Sequence, residues 1–437
     1  MAVSKTKNKA KKQAEVKPVT KVRSAFGVQE YRLANGLRVL HKHDTGAPVV
    51  AVCVTFHVGS RNESAGVTGS THILEHLLFK DSEIFNKANG DVFVNAIEWF
   101  GALWNGTTWL DRTNYFELLP KEKLAMAIAG EADRMRFSRF NDADLASEMT
   151  VVRNEYERSR NNPFELLDEE VMYKTFTKHS YRIPTIGLKE DIEGSTAAKL
   201  REFYDTFYWP NNATLSVFGD VTWKEVEKAV LEYFGPIPTS PSPIPQLKVK
   251  EPKQIAKRSV RVKKAMGVTI AELMYKVPEG RHPDFAATYV LTAILAGGYA
   301  SRMRHTLVDV GLVSDVSTMC FPLYDPGFAS FTAQVVPNVA PAKVLDQMRK
   351  EIAGVITKGV TKDELTRAKE RVLSEAATER DGVFTEMRVT SEALAGGDWT
   401  LAYKFPKDVS KLSVKDIQRV AKKYFTPTQE TSGILEP

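Results

Sequence analysis

Six prolines fall within the nineteen residues from Gly235 to Lys253, GPIPTSPSPIPQLKVKEPK, and no regular helix or central strand can run through such a stretch. Each proline removes a backbone donor and fixes φ. The segment is expected to be a linker that cuts the 437-residue chain into two parts. Each part has roughly 200 residues, the size of one ordinary domain. The expected division is a disordered basic leader over 1–25, a first domain over 26–234, the linker over 235–253 and a second domain over 254–437.

Both parts mix strand and helix patterns. In the first, GLRVLHKH and VVAVCVTFHVG read as strands and KLAMAIAGEADRMRF as a helix. In the second, GVTIAELMYKV reads as a strand, while DFAATYVLTAIL and the stretch from Lys362 to Ala377 read as helices. No regular strand-helix-strand rhythm appears, so the expected class is α+β. A shift of 217 residues places Thr196 on Ser413, Leu200 on Ile417, Phe203 on Val420, Phe207 on Tyr424, Tyr208 on Phe425, Pro210 on Pro427 and Thr214 on Thr431. Each half is thus expected to close with an amphipathic helix, an aromatic pair, a proline turn and a strand.

The net charge of +6 suggests nucleic-acid binding until its location is considered. Residues 1–23 hold eight lysines and arginines against Glu15, a net +7, so the remainder sums to −1. A polar, lysine-rich segment without aromatic residues reads as solvated leader, and no nucleic-acid partner is expected. The longest apolar stretches, such as Val49 to Val58, are strand-length and too short for a bilayer span. A soluble protein is therefore expected, cytoplasmic by the absence of a signal segment, or periplasmic or organellar if one was removed. Cys53 and Cys320, one in each half, exclude a disulfide framework.

Chemistry concentrates in Thr71-His72-Ile73-Leu74-Glu75-His76-Leu77-Leu78-Phe79. On a helix, positions i, i+3 and i+4 share a face, so both imidazoles and the Glu75 carboxylate project together, opposite Leu74, Leu77 and Leu78. This is the His-x-x-Glu-His order of inverted zinc peptidases. A catalytic zinc needs a third protein ligand and an open position. Downstream, Glu148 and Glu155 are seven residues apart and share a helical face, whereas Glu157 lies about 160° from Glu155. Spacing favours Glu155 as ligand and Glu148 as the outer carboxylate that orients a ligand imidazole. The histidines at 41, 43, 57, 179, 282 and 305 lack ligand spacing.

The segment HVGSRNESAGVTGSTHILEHLLFK resembles the active-site region of the pitrilysin and insulinase peptidases, above all the half-length branch that includes the catalytic subunit of mitochondrial processing peptidase. The resemblance continues through LDRTNYFELLPKEKL, HSYRIPTIGLKEDIEGST and FYWPNNATLSVFGDV, and weakly in AGGYASRMRHTLVDVGL. It implies two structurally similar α/β-sandwich-like domains in tandem, and one Zn²⁺ on His72, His76 and Glu155. It also implies Glu75 as catalytic base, Glu148 as a second active-site acid, and a peptide substrate. Asn105 falls where the family has a strand that pairs with extended substrate, which implies a grip on a peptide carbonyl; a turn residue beside Gly106 is the alternative.

Two departures carry further expectations. His76 and Glu155 are 79 residues apart, and the surplus over the family's usual spacing is assigned to a surface insertion between Asp81 and Trp104. Leu307 and Ser314 stand where such peptidases, or their partner subunits, carry an Arg and a Tyr for substrate. The expected partner is therefore a homologous zinc-less subunit in a heterodimer, with a homodimer as alternative. The competing class is a non-catalytic structural or partner subunit of the same fold, which fold alone could not separate from an enzyme.

Overall fold

β4 (Val49–Phe56) is buried along almost its whole length, although it carries no alternation of polar and apolar residues. A strand with that pattern needs cover on both faces of its sheet. The computed structural model describes residues 19–437 and shows where the second cover comes from. The first sheet comprises β1 (Thr20–Ala25), β2 (Val28–Arg32), β3 (Arg38–His43), β4, β5 (Leu103–Thr108), β6 (Thr113–Pro120) and β7 (Ala213–Gly219), in the order β1-β2-β3-β7-β4-β6-β5. Only β3 and β7 run parallel. The second sheet comprises β8 (Arg258–Lys263), β9 (Thr269–Lys276), β10 (Val313–Cys320), β11 (Phe328–Val335) and β12 (Glu430–Glu436), in the order β10-β11-β9-β12-β8.

Read from the other edge, β8-β12-β9-β11-β10 repeats β3-β7-β4-β6-β5, including the single parallel pair. The 217-residue shift carries helix Ala197–Phe207 onto Val414–Tyr424, and β7 onto β12, without an offset. The two halves are copies of one α+β unit.

Each sheet packs its own half's helices on one face, and the other half lends a helix to the opposite face. Leu166, Leu167, Val171 and Met172, from helix Pro163–Thr175, pack with Ile270, Met274 and Leu435 of the second sheet. Met387, from helix Val383–Glu392, packs with Ala51, Cys53 and Phe218 of the first, together with Leu394, Trp399 and Tyr403. The approach is close enough that a Cβ on Gly433 would lie 2.3 Å from Val171 Cγ2, so β12 needs glycine there.

The expected leader boundary at residue 25 is corrected at its end. Residues 1–18 lie outside the described residues, but Thr20–Ala25 form β1, paired antiparallel with β2. Arg23 there holds Glu30, and Asp398 of the second half at 2.9 Å. Edge pairing rests on backbone hydrogen bonds and ion pairs, which leave no apolar signature in sequence. Residues 239–257 carry neither helix nor strand, yet Glu251 accepts the backbone N–H groups of Thr177, Lys178 and His179 and pairs with Lys276 at 2.8 Å.

Beneath helix Pro163–Thr175, Asp168 faces Glu272, a fully buried carboxyl on β9. Burial, then the facing Asp168, hold Glu272 well above the usual carboxylate range, and burial pushes Asp168 up to about 6. A carboxyl with a raised folded-state pKa contributes stability below its unfolded value and loses it as pH rises through the folded one. The difference in Tm between Asp168→Asn and the wild type is therefore expected to move in the variant's favour by a few degrees between about pH 4 and pH 7. A pH-independent difference in thermal melts would show that the pair does not share a proton.

Candidate metal centre

Helix Ser70–Leu77 turns Ile73, Leu74 and Leu77 into the core, and that commitment points His72, Glu75 and His76 the other way. Its first turn is closed from a distance. Glu63 Oε2 accepts the Gly69 N–H at 2.8 Å, while Oε1 accepts the Thr71 N–H at 2.8 Å and the Thr71 hydroxyl at 2.6 Å. Burial pushes Glu63 up to about 7 against the pull of these donors.

The facing element is helix Asp142–Asn161, started by Asn141, whose side chain accepts the N–H groups of Ala143 and Asp144. Leu145, Met149 and Val152 fix its rotation by burial. Glu148 and Glu155 therefore face the histidines, while Glu157 is exposed. Glu155 Oε2 lies 3.5 Å from Nε2 of both His72 and His76, and the three donor atoms lie within 4.8 Å of one another. A tetrahedral zinc with ligand distances near 2.0–2.1 Å has donors about 3.3–3.4 Å apart, which the two 3.5 Å separations from Glu155 match. Burial, then the neighbouring His76, bring the His72 imidazole down to about 4, which keeps it neutral, the form that binds metal. Glu148 Oε2 lies 3.4 Å from His76 Nδ1 while its Oε1 pairs with Lys80, as an outer carboxylate that sets a ligand ring would do.

Glu75 leaves the helix between the imidazoles and β5. Burial raises its pKa; the adjacent Thr108 hydroxyl, then His76 and Arg112, act against that rise. Gly106 makes this approach possible, since a Cβ there would lie 3.0 Å from Glu75 Cγ and 2.9 Å from the Phe79 ring. Among the described residues β5 pairs only with β6, so its outer edge offers backbone groups beside the three-donor cluster. From Thr107 and Thr108 a cavity of about 1370 Å³ opens between the halves, with Phe285, Tyr289 and Arg388 on its far side.

The insulinase (peptidase family M16) model matches residues 38–188, and the peptidase M16 inactive-domain model matches residues 195–372. The zinc protease PqqE of Helicobacter pylori is 30% identical over 93% of this chain and 92% of its own. The chain belongs to peptidase family M16. The uncharacterized zinc protease YmxG of Bacillus subtilis is 22% identical, covering 91% of this chain and 96% of its own. Among solved structures, a protease from Helicobacter pylori superposes with a TM-score of 0.89 at 27% identity, over 94% of this chain and 99% of that one. The periplasmic protease PqqL from Escherichia coli shares the fold, with a TM-score of 0.76 at 16% identity, over 95% of this chain but 48% of its own. This chain is a half-length M16 member with two α+β units, and no helix among the described residues is long and apolar enough to cross a membrane.

Asn105 lies exposed on β5 rather than in a turn, and its Oδ1 accepts the Gly106 N–H at 2.9 Å. The segment 81–104 is more than a surface insertion. Phe93, Val94 and Ile97 are buried, and Asp133 accepts the Ser82 hydroxyl and the N–H groups of Ile84 and Phe85. Phe93 lies against Gly130 and Arg134 of helix Leu124–Phe137, so the segment is built into the core of the first half, a role invisible to a comparison of spacings. Leu307 is fully buried and Ser314 is exposed on β10, so neither supplies an Arg or Tyr function. Sequence reasoning passed over Glu63, Thr108 and Arg112. Glu63 stands six residues before the N-cap Gly69, outside any capping-box window. Thr108 and Arg112 meet Glu75 only through the fold.

Proposed function

We propose that this chain is a zinc-dependent endopeptidase acting on extended oligopeptides or unfolded segments. The observation that carries the reading is a half-buried carboxylate, Glu75, set between two imidazoles of a three-donor cluster and a free strand edge. A zinc ion held by His72, His76 and Glu155 would supply an activated water and a Lewis acid for the scissile carbonyl. Glu75 accepts a proton at its carboxylate as attack proceeds and returns it to the leaving amine. Its burial supports this role, because a raised pKa brings a carboxylate closer to the operating pH of a general base. The outer edge of β5 holds the substrate backbone by strand pairing, which gives affinity irrespective of side chain. Asn105 donates its Nδ2 to a substrate carbonyl while its Oδ1 holds the Gly106 N–H. Glu148 fixes the His76 ring.

The substrate-binding Arg and Tyr are absent at Leu307 and Ser314, and PqqL joins in one chain about twice the length that this chain matches. Both observations support a homologous, zinc-less partner subunit. The purified chain is expected to bind one zinc yet hydrolyse a fluorogenic oligopeptide poorly. Adding the partner is expected to raise the rate by orders of magnitude. Full activity from the isolated chain, with no gain from any homologous subunit, would remove the heterodimer. Zinc binding with no cleavage under either condition would remove the peptidase.

A further inference from the structure

Arg112 is a buried arginine whose three nitrogens all have partners, and the partners come from both halves of the molecule. Nη1 donates to the Thr107 carbonyl of β5 at 2.8 Å. Nε and Nη2 donate to the two carboxylate oxygens of Glu392, at 3.0 and 2.8 Å. Glu392 Oε1 accepts a further bond from Asn114 Nδ2 of β6 at 3.0 Å. Glu392 ends helix Val383–Glu392, which belongs to the second half and lies against the first sheet. One residue to the other side of Thr107 stands Gly106, packed so closely on Glu75 that a Cβ there would lie 3.0 Å from Glu75 Cγ.

We propose that the metal-free half supplies a positioning residue, Glu392, which through Arg112 holds the end of β5 and so keeps the strand, at Gly106, against Glu75. The proposal rests on the peptidase reading. An edge strand has neighbours on one side only, and its last residues fray unless something else holds them. Here the hold is a forked guanidinium–carboxylate pair, which fixes angle as well as distance, and lysine could not reproduce it. The same end of β5 borders the cavity between the halves, so a shift of Glu392 with the second half would move the surroundings of Glu75 directly.

The test uses the full chain with zinc, as wild type, Glu392→Gln and Arg112→Lys. Glu392→Gln keeps the shape of the side chain, and Arg112→Lys keeps the charge but loses the fork. Deuterium exchange of residues 103–108 is expected to quicken about tenfold or more in both variants, as loss of a charge-assisted hydrogen bond implies, while β4 and β7 stay unchanged. In the same samples kcat is expected to fall about tenfold to a hundredfold, with KM within about twofold and zinc retained. A purely structural loss would instead quicken exchange throughout the first sheet and lower Tm. Unchanged exchange over 103–108 overturns the clamp, whatever the activity. Faster exchange there, with kcat unchanged in a chain whose wild type cleaves peptide, overturns the positioning of Glu75. Should the wild type bind zinc and cleave nothing, alone and with the homologous partner, the peptidase reading fails, and the exchange measurement still decides the clamp.

Discussion

Glu75→Gln is expected to leave zinc bound and to reduce peptide cleavage by about 10²-fold or more, the usual cost of removing a general base. Glutamine matches glutamate in size, and the ligand atoms of His72, His76 and Glu155 are untouched, so the metal has no reason to leave. The amide cannot take up a proton, however, so the loss falls on kcat and not on KM. Stability is expected to hold or rise, because burial disfavours the Glu75 charge in the folded state. Zinc stoichiometry by elemental analysis and steady-state kinetics on one sample decide the matter. More than about 10% of wild-type turnover in that sample would dismiss Glu75 as the base.

Loss of a single donor is expected to act on the metal itself. His72→Ala, His76→Ala and Glu155→Gln should each weaken zinc binding by at least about 100-fold, since even an outer partner of a ligand is worth 10- to 100-fold. Glu157→Gln should leave it unchanged, because Glu157 is exposed while Glu155 lies 3.5 Å from both ligand nitrogens. Competition against a chromophoric chelator measures the difference without reference to activity. An empty site in Glu157→Gln together with a full one in Glu155→Gln would mean that helix Asp142–Asn161 sits turned about its axis from the register described.

How much of this was written in the chain can be judged residue by residue. The 217-residue repeat was legible because an amphipathic helix, an aromatic pair and a proline turn are local devices, with spacings that do not depend on the rest of the molecule. The grouping of His72, Glu75 and His76 was legible for the same reason, as was the shared face of Glu148 and Glu155, since one helix settles which of its side chains travel together. That the two helices meet with Glu155 between the imidazoles depends on how Leu145, Met149 and Val152 pack, and packing is a property of both surfaces. β1 was missed because an edge strand is held by backbone bonds and ion pairs that composition does not register.

The exchange of helices between the halves could not have been read at all. The continuous burial of β4 and β9 says that two faces must be covered, but any apolar helix satisfies that demand on paper. Only the tertiary structure selects Pro163–Thr175 for the second sheet and Val383–Glu392 for the first. That choice brings Glu392 to Arg112 across 280 residues of sequence. The chain by itself determined which side chains can act on a metal, because helical periodicity is short-ranged. The fold decided what surrounds them, because burial, charge and the reach of a hydrogen bond are set by neighbours distant in sequence.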